Sequence, residues 1–203
     1  MLIAEFMGTF ALASAVLAML TGGGDLLQTA ATAGFTLALM VLVIGPVSGA
    51  HINPAVTLGL WSTKQIESLQ AVVYWIAQFA GGWAAWQLHE TLRDTTLQTV
   101  AGGGYDARIL VAEALGALVF TFGIAAAVSR KYQGGQLAAA VGGSLFLGIL
   151  IAAGLGSNAV LNPAVAVGIQ SWSWTYAVAP LVGSIIGMNL YANLFAEPAK
   201  KKK

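Results

Sequence analysis

The stretch Ser48-Gly49-Ala50-His51-Ile52-Asn53-Pro54-Ala55-Val56-Thr57 decides how this chain folds, because a shortened form of it returns at Ser157-Asn158-Ala159-Val160-Leu161-Asn162-Pro163-Ala164-Val165. Asn followed by Pro is a helix-start signal: Asn is a strong N-cap, and Pro is tolerated at the first helical position. Both triplets lie in stretches too long for one membrane span. Between Asp25 and Lys64 there are 38 residues without a formal charge, more than one span and fewer than two with a loop. Between Lys131 and Glu197 there are 65, which fits two spans and one partial element. The partial elements read as re-entrant segments that enter the membrane and turn back, with short helices over 54–62 and 163–171.

Composition agrees with a membrane protein. Hydrophobic residues make up 58% of the 203 and charged residues only 8%, with a mean hydropathy of +0.78. A soluble domain carries roughly three times as much charge. The net charge of +1 gives no reason to invoke nucleic acid, and the absence of cysteine excludes disulfides and thiolate metal sites. The chain opens Met1-Leu2-Ile3-Ala4-Glu5 and runs on apolar, which reads as a first span with no cleavable signal. The expected spans are 2–20, 28–45, 69–89, 108–129, 137–154 and 175–195. With the N-terminus inside, seven of the nine Lys and Arg residues are cytoplasmic: Lys64, Arg130, Lys131 and Lys200 to Lys203. Only Arg93 and Arg108 fall outside. Both termini are therefore expected in the cytoplasm, with an external linker near 90–107. The vote narrows to three against two without the terminal lysine run over 200–203.

The two halves are repeats. Ala4-Glu5-Phe6-Met7-Gly8 matches Ala112-Glu113-Ala114-Leu115-Gly116 at an offset of 108, and the Asn-Pro-Ala stretches match at 109. Tyr74 to Gly81 matches Tyr176 to Gly183 at 102. One half covers about 1–90 and the other about 108–196 of a single membrane domain. Three spans in each half force the second to enter from the opposite face, so the repeats are inverted. Asn53-Pro54-Ala55 and Asn162-Pro163-Ala164 then approach the membrane midplane from opposite sides. Non-helical backbone at that depth is tolerated only where it is buried in protein or lines a water-filled cavity. Two helix N-termini there add about +0.5 charge each, a field that repels cations.

On these residues the chain resembles the aquaporin or major intrinsic protein family over nearly its whole length. The run from Ser48 to Thr57, Tyr74-Trp75-Ile76-Ala77-Gln78 and the glutamates of spans one and four carry the resemblance. It implies an all-α channel of six transmembrane helices and two half-helices, homotetrameric with one pore per subunit. It also implies Asn53 and Asn162 facing the water column, passive conduction and no cofactor. Glu5 and Glu113 are the only acids inside spans. Each either relays protons or, as the resemblance and their symmetric placement favour, bonds the amides of its own half's re-entrant loop. His51 either lines the inner vestibule or packs as a hydrogen-bonded imidazole.

One position departs from the family. Most aquaporins follow the second triplet with Arg; here Val165 stands, and no Arg or Lys occurs from 132 to 199. By motif spacing, the other outer-constriction positions are Ala33, Ala159, and Leu150 or Ile149. Neither the aromatic and His of water-selective members nor the two aromatics of glycerol facilitators is present. The expectation is a wide apolar outer filter passing water and small neutral solutes such as glycerol or urea. A competing expectation has Arg93 or Arg108 folding into the mouth. A secondary transporter also uses inverted repeats and broken helices, but beyond Glu5 and Glu113 there is little charge to build a coupling site. A structural junction protein on the same scaffold is a third class. No nucleophile–base pair or metal-ligand cluster suggests an enzyme.

Overall fold

The structure, a computed structural model, describes residues 1–99 and 106–196. The lysine run over 200–203 and the middle of the 90–107 linker lie outside the described residues. Among the described residues eight helices follow one another: α1 (Leu2–Thr21), α2 (Leu26–Ser48), α3 (Pro54–Ser62), α4 (Ser68–Arg93), α5 (Ala107–Ser129), α6 (Gly134–Gly154), α7 (Pro163–Gly168) and α8 (Trp174–Leu194). The described residues contain no strand. Five of the six long helices are apolar and long enough to cross a membrane. The sixth, α4, is the longest at 26 residues but carries Gln70, Gln78, Gln87, His89, Glu90 and Arg93. Gln78 is fully buried. The polar cluster from Gln87 onward sits in the last two turns, where a long helix can emerge into the interface.

Both half-helices start as the sequence dictates. Asn53 and Asn162 stand in extended backbone and cap α3 and α7, with Pro54 and Pro163 at the first helical position. Their C-termini are a matched pair as well. Lys64 adopts φ 60° and Gln170 φ 56°. The amide of Gln65 reaches back to the Leu60 carbonyl and that of Ser171 to Ala166, each at 2.8 Å. This six-to-one closure is a Schellman turn, built here without glycine. It ends α7 at Gly168, shorter than the expected 163–171, because Gln170 turns left-handed and Ser171 takes up a carbonyl that a further turn would have used. At 1.5 Å per residue α3 is about 13 Å long and α7 about 9 Å.

The long helices pair by halves, α1 on α4 and α5 on α8, and α2 packs on α6 to join the halves. The half-helices cross over: α3 packs more extensively on α8 than on its own α4, and α7 more on α4 than on its own α8. Neither half is complete without the other's last helix. Such crossings need small residues, since helices in lipid associate by close packing rather than by hydrophobic burial. A Cβ built on Gly116 would stand 2.6 Å from the Gly148 carbonyl oxygen, and one on Gly148 the same distance from that of Gly116. Gly143, one helix face away, meets nothing within 4 Å.

The Gly148→Ala variant is therefore expected to lose about 1–3 kcal/mol by overpacking, read as a lower midpoint of thermal unfolding in detergent. Gly143→Ala should stay within about 0.5 kcal/mol of the parent. Equal midpoints for the two variants would contradict the close crossing.

Candidate pore

Each half-helix is preceded by a loop in conformations that side chains rarely adopt. Ala50 and Ile52 have φ of 51° and 39°, and their equivalents Ala159 and Leu161 both 53°. A left-handed conformation at a β-branched residue such as Ile52 is strained, so something must hold it. The holder is a buried carboxylate. Glu5 Oε1 accepts from Ser48 Oγ at 2.6 Å and the His51 amide at 3.0 Å; Oε2 accepts from the Ile52 amide at 2.7 Å and Gln78 Nε2 at 2.8 Å. Glu113 repeats the arrangement on the other loop. Its Oε1 accepts from Ser157 Oγ and from the Val160 amide at 3.0 Å, its Oε2 from the Leu161 amide at 2.8 Å. Both carboxylates are fully buried. Tyr74 Oη donates to the Ser48 carbonyl at 2.8 Å, while the Asn158 amide donates to Tyr176 Oη at 3.1 Å. Two tyrosines at the repeat offset thus pin the two loops.

The loops meet through the asparagines. Asn53 Oδ1 accepts from the Ala55 amide at 2.8 Å, and its Nδ2 donates across to the Leu161 carbonyl at 2.9 Å. Asn162 Oδ1 accepts from Ala164 and Val165 amides at 3.0 and 3.2 Å, and its Nδ2 donates back to the Ile52 carbonyl at 3.0 Å. Each carboxamide thereby caps its own half-helix and ties it to the opposite loop. A carboxamide nitrogen carries two hydrogens, so one N–H on each remains after the cross-link.

A cavity lies on either side of this junction. The one below the α1–α2 turn holds about 160 Å³ and has Val16, Ala33, Ile149, Ala159, Asn162 and Val165 on its wall. The other holds about 230 Å³ and is walled by Val41, Ala50, Val56, Ile124 and Val141, with His51 projecting into it. These linings are the same positions in the two repeats: Val16 pairs with Ile124 and Ala33 with Val141 at 108, and Val165 with Val56 at 109. Three of the four sequence-expected constriction residues, Ala33, Ala159 and Val165, stand together on the first cavity. On α6 it is Ile149 that lines this cavity, while Leu150 packs at the edge of the core. Ile149 shares a helix face with Leu145 one turn back, and one residue further rotates the side chain about 100° away. Neither Arg93 nor Arg108 lines either cavity; both are exposed, at the end of α4 and the start of α5.

His51 is packed and at the same time stands on a cavity wall. Its ring is 7% exposed, packs edge-on against Tyr74 with centroids 5.1 Å apart, and also lines the second cavity. Thr57 Oγ1 accepts from Gln78 Nε2 at 2.9 Å and lies 3.2 Å from His51 Nδ1. The direction of that second hydrogen bond follows the imidazole tautomer, since a hydroxyl can accept from two donors or donate one proton. Two groups escaped the sequence reading. Gln78 and Thr57 complete the polar core around Glu5, and Asn158 lines the first cavity. Alignment of Asn158 with Gly49 in the other repeat was the available signal for the latter. Among the described residues no group of three His, Asp or Glu side chains could hold a metal ion.

Long helices surrounding two half-helices that meet by their N-termini, with a cavity at each end of the meeting point, define a membrane channel fold. The sequence profile of the family described as Major intrinsic protein matches residues 1–191. The chain is 30% identical to aquaporin Z of Photorhabdus laumondii over 187 residues, covering 81% of this chain and 80% of that one. It is 29% identical to aquaporin AqpM of Methanothermobacter thermautotrophicus, covering 96% and 97%. The X-ray structure of the aquaglyceroporin from Plasmodium falciparum shares its fold, with a TM-score of 0.79 over 95% of both chains at 23% identity. The chain belongs to the major intrinsic protein family and is an integral membrane channel of that family.

Both carboxylates are committed to backbone amides. In Glu5→Gln the new NH₂ must face the amide of His51 or of Ile52, and in Glu113→Gln that of Val160 or of Leu161, and a backbone amide, unlike the serine hydroxyl beside it, cannot turn to accept. Each orphaned buried donor costs about 1–3 kcal/mol. Each variant should therefore fold less well than the parent by about 1–3 kcal/mol, measured as yield of monodisperse protein and midpoint of thermal unfolding. Unchanged midpoints in both would show that the carboxylates do not hold the loops.

Proposed function

We propose that the protein is a passive channel for water that also admits small neutral solutes such as glycerol or urea. The observation that carries this reading is the junction itself: two apolar cavities separated by a pair of carboxamides, each with an N–H left over after the cross-link. A passing hydroxyl or water oxygen can exchange one hydrogen bond for another there. An ion would have to shed its hydration shell opposite two helix N-termini carrying about +0.5 charge each.

The first cavity is the outer filter. Its side walls are Ala33, Ile149, Ala159 and Val165, with no arginine or lysine among the lining residues. Val165 occupies the place where most relatives carry a filter arginine, so the outer constriction is wider and less polar than in a strict water channel. The second cavity, with His51, is the inner vestibule. This assignment follows the distribution of Lys and Arg, which favours both termini in the cytoplasm, and we read the chain as a plasma-membrane protein. Glu5 and Glu113 support the loops and do not relay protons, since donors already occupy both oxygens of each. The family resemblance supports a homotetramer. Apolar side chains such as Phe35, 77% exposed on α2, give lipid or a second copy a surface to cover.

Stopped-flow shrinkage of proteoliposomes tests the reading: water, glycerol and urea fluxes should all exceed those of empty vesicles. Fast water flux with glycerol and urea excluded would remove the wide filter. Val165→Arg should cut glycerol and urea flux about tenfold or more and lower the proton leak seen with an entrapped pH dye. An unchanged leak would show that the half-helix field alone excludes protons.

A further inference from the structure

The two cavities are lined by equivalent residues, so the places where they differ carry information. The three residues that open each loop pair as Gly49 with Asn158, Ala50 with Ala159, and His51 with Val160. Each cavity therefore receives one polar side chain from this part of its loop, at a different step. On the inner side it is His51, two residues before Asn53. On the outer side it is Asn158, four residues before Asn162.

Asn158 is exposed, and its backbone is fixed by the bond to Tyr176 Oη. Its Nδ2 lies 3.5 Å from the hydroxyl of fully buried Ser171, a long contact. No hydrogen bond occupies its Oδ1 among the described residues. The other polar side chains of this wall already make hydrogen bonds. Asp25 Oδ1 accepts from the Gln28 amide at 2.8 Å, and the Thr29 hydroxyl donates to the Asp25 carbonyl at 2.9 Å. Asn162 Oδ1 accepts from the half-helix amides. Asn158 alone presents a donor and a free acceptor on one planar group.

We infer that Asn158 is a specificity-determining residue of the outer filter and that it favours small neutral amides of the urea class. A carboxamide edge pairs with another amide through two parallel hydrogen bonds, N–H to O in each direction. Ala33, Ile149 and Val165 on the same cavity offer apolar contact to the solute's flat face. A polyol of similar size presents hydroxyls along a bent chain and makes only one of the two bonds at a time. Water needs neither. The inference rests on the wide-filter reading and names the chemistry that selects within it.

The test is the ratio of urea to glycerol permeability in proteoliposomes, with water flux recorded in the same vesicles. Asn158→Leu keeps the number and branching of side-chain heavy atoms and removes both bonds; the ratio should fall about tenfold. Asn158→Gly, which copies the equivalent residue of the first half, should do the same if the leucine variant does not insert. Asn158→Gln, retaining the amide, should recover part of the preference. A ratio unchanged in either the leucine or the glycine variant overturns the role of Asn158 while leaving the wide filter standing. Exclusion of both urea and glycerol by the parent protein overturns both.

Discussion

The fold depends on a buried carboxylate satisfying backbone amides that no helix can serve. Glu5 and Glu113 each reach from the first turns of a long helix into a loop whose residues alternate into the left-handed region. In lipid an unsatisfied amide costs several kcal/mol, which is why irregular backbone does not stand at membrane depth by itself. An ionised carboxylate can accept from several donors at once, so one side chain resolves the whole loop. A buried carboxylate without partners would be costly in its own right. Loop and glutamate are each tolerable only in the presence of the other. The Ser48 and Ser157 hydroxyls bridge the pair on both sides, accepting from the Ala50 and Ala159 amides while donating to the carboxylates.

With the loops fixed, the half-helices have no freedom in where they start, and their packing locks the two repeats together. Each half-helix lies mainly on the last helix of the opposite half, and each capping asparagine donates to the opposite loop. The central barrier is thus a property of the pair and not of either repeat. Its symmetry follows from the same residues at the same offset. The vestibules are free to diverge because no cross-repeat bond passes through them. That is where Gly49 and Asn158, or His51 and Val160, differ.

Much of this was legible in the chain because charge is so sparse. Uncharged stretches of unusual length announced partial elements, and Asn-Pro gave the start of both half-helices to the residue. The interval 54–62 matched α3 because Lys64 and Gln65 stand just beyond it and turn the chain. The end of α7 was not legible, since Gln170 adopts a left-handed turn that glycine or asparagine normally signals. The choice between Ile149 and Leu150 depended on the rotational phase of α6, which spacing from a distant motif fixes only to within one residue. Asn158 was hidden for a different reason. Its neighbours are recognised by what they share with the first repeat, and Asn158 matters for what it does not share.

The distribution of polarity along the pore then has a physical order. At the midplane two amide N–H groups and two helix N-termini sit where the walls are otherwise apolar, so the field there is weakly screened and acts on any charge. At the first cavity the same field meets no reinforcing cation, because Val165 stands beside the asparagine cap and Arg93 and Arg108 are off the cavity wall. The far end of that cavity instead carries the Asp25 carboxylate at the α1–α2 turn. A cation on this side would therefore meet an attractive charge before the repulsive field of the junction. A neutral molecule would experience neither strongly. Any discrimination among neutral molecules would then rest on shape and on the unpaired polar atoms of that wall.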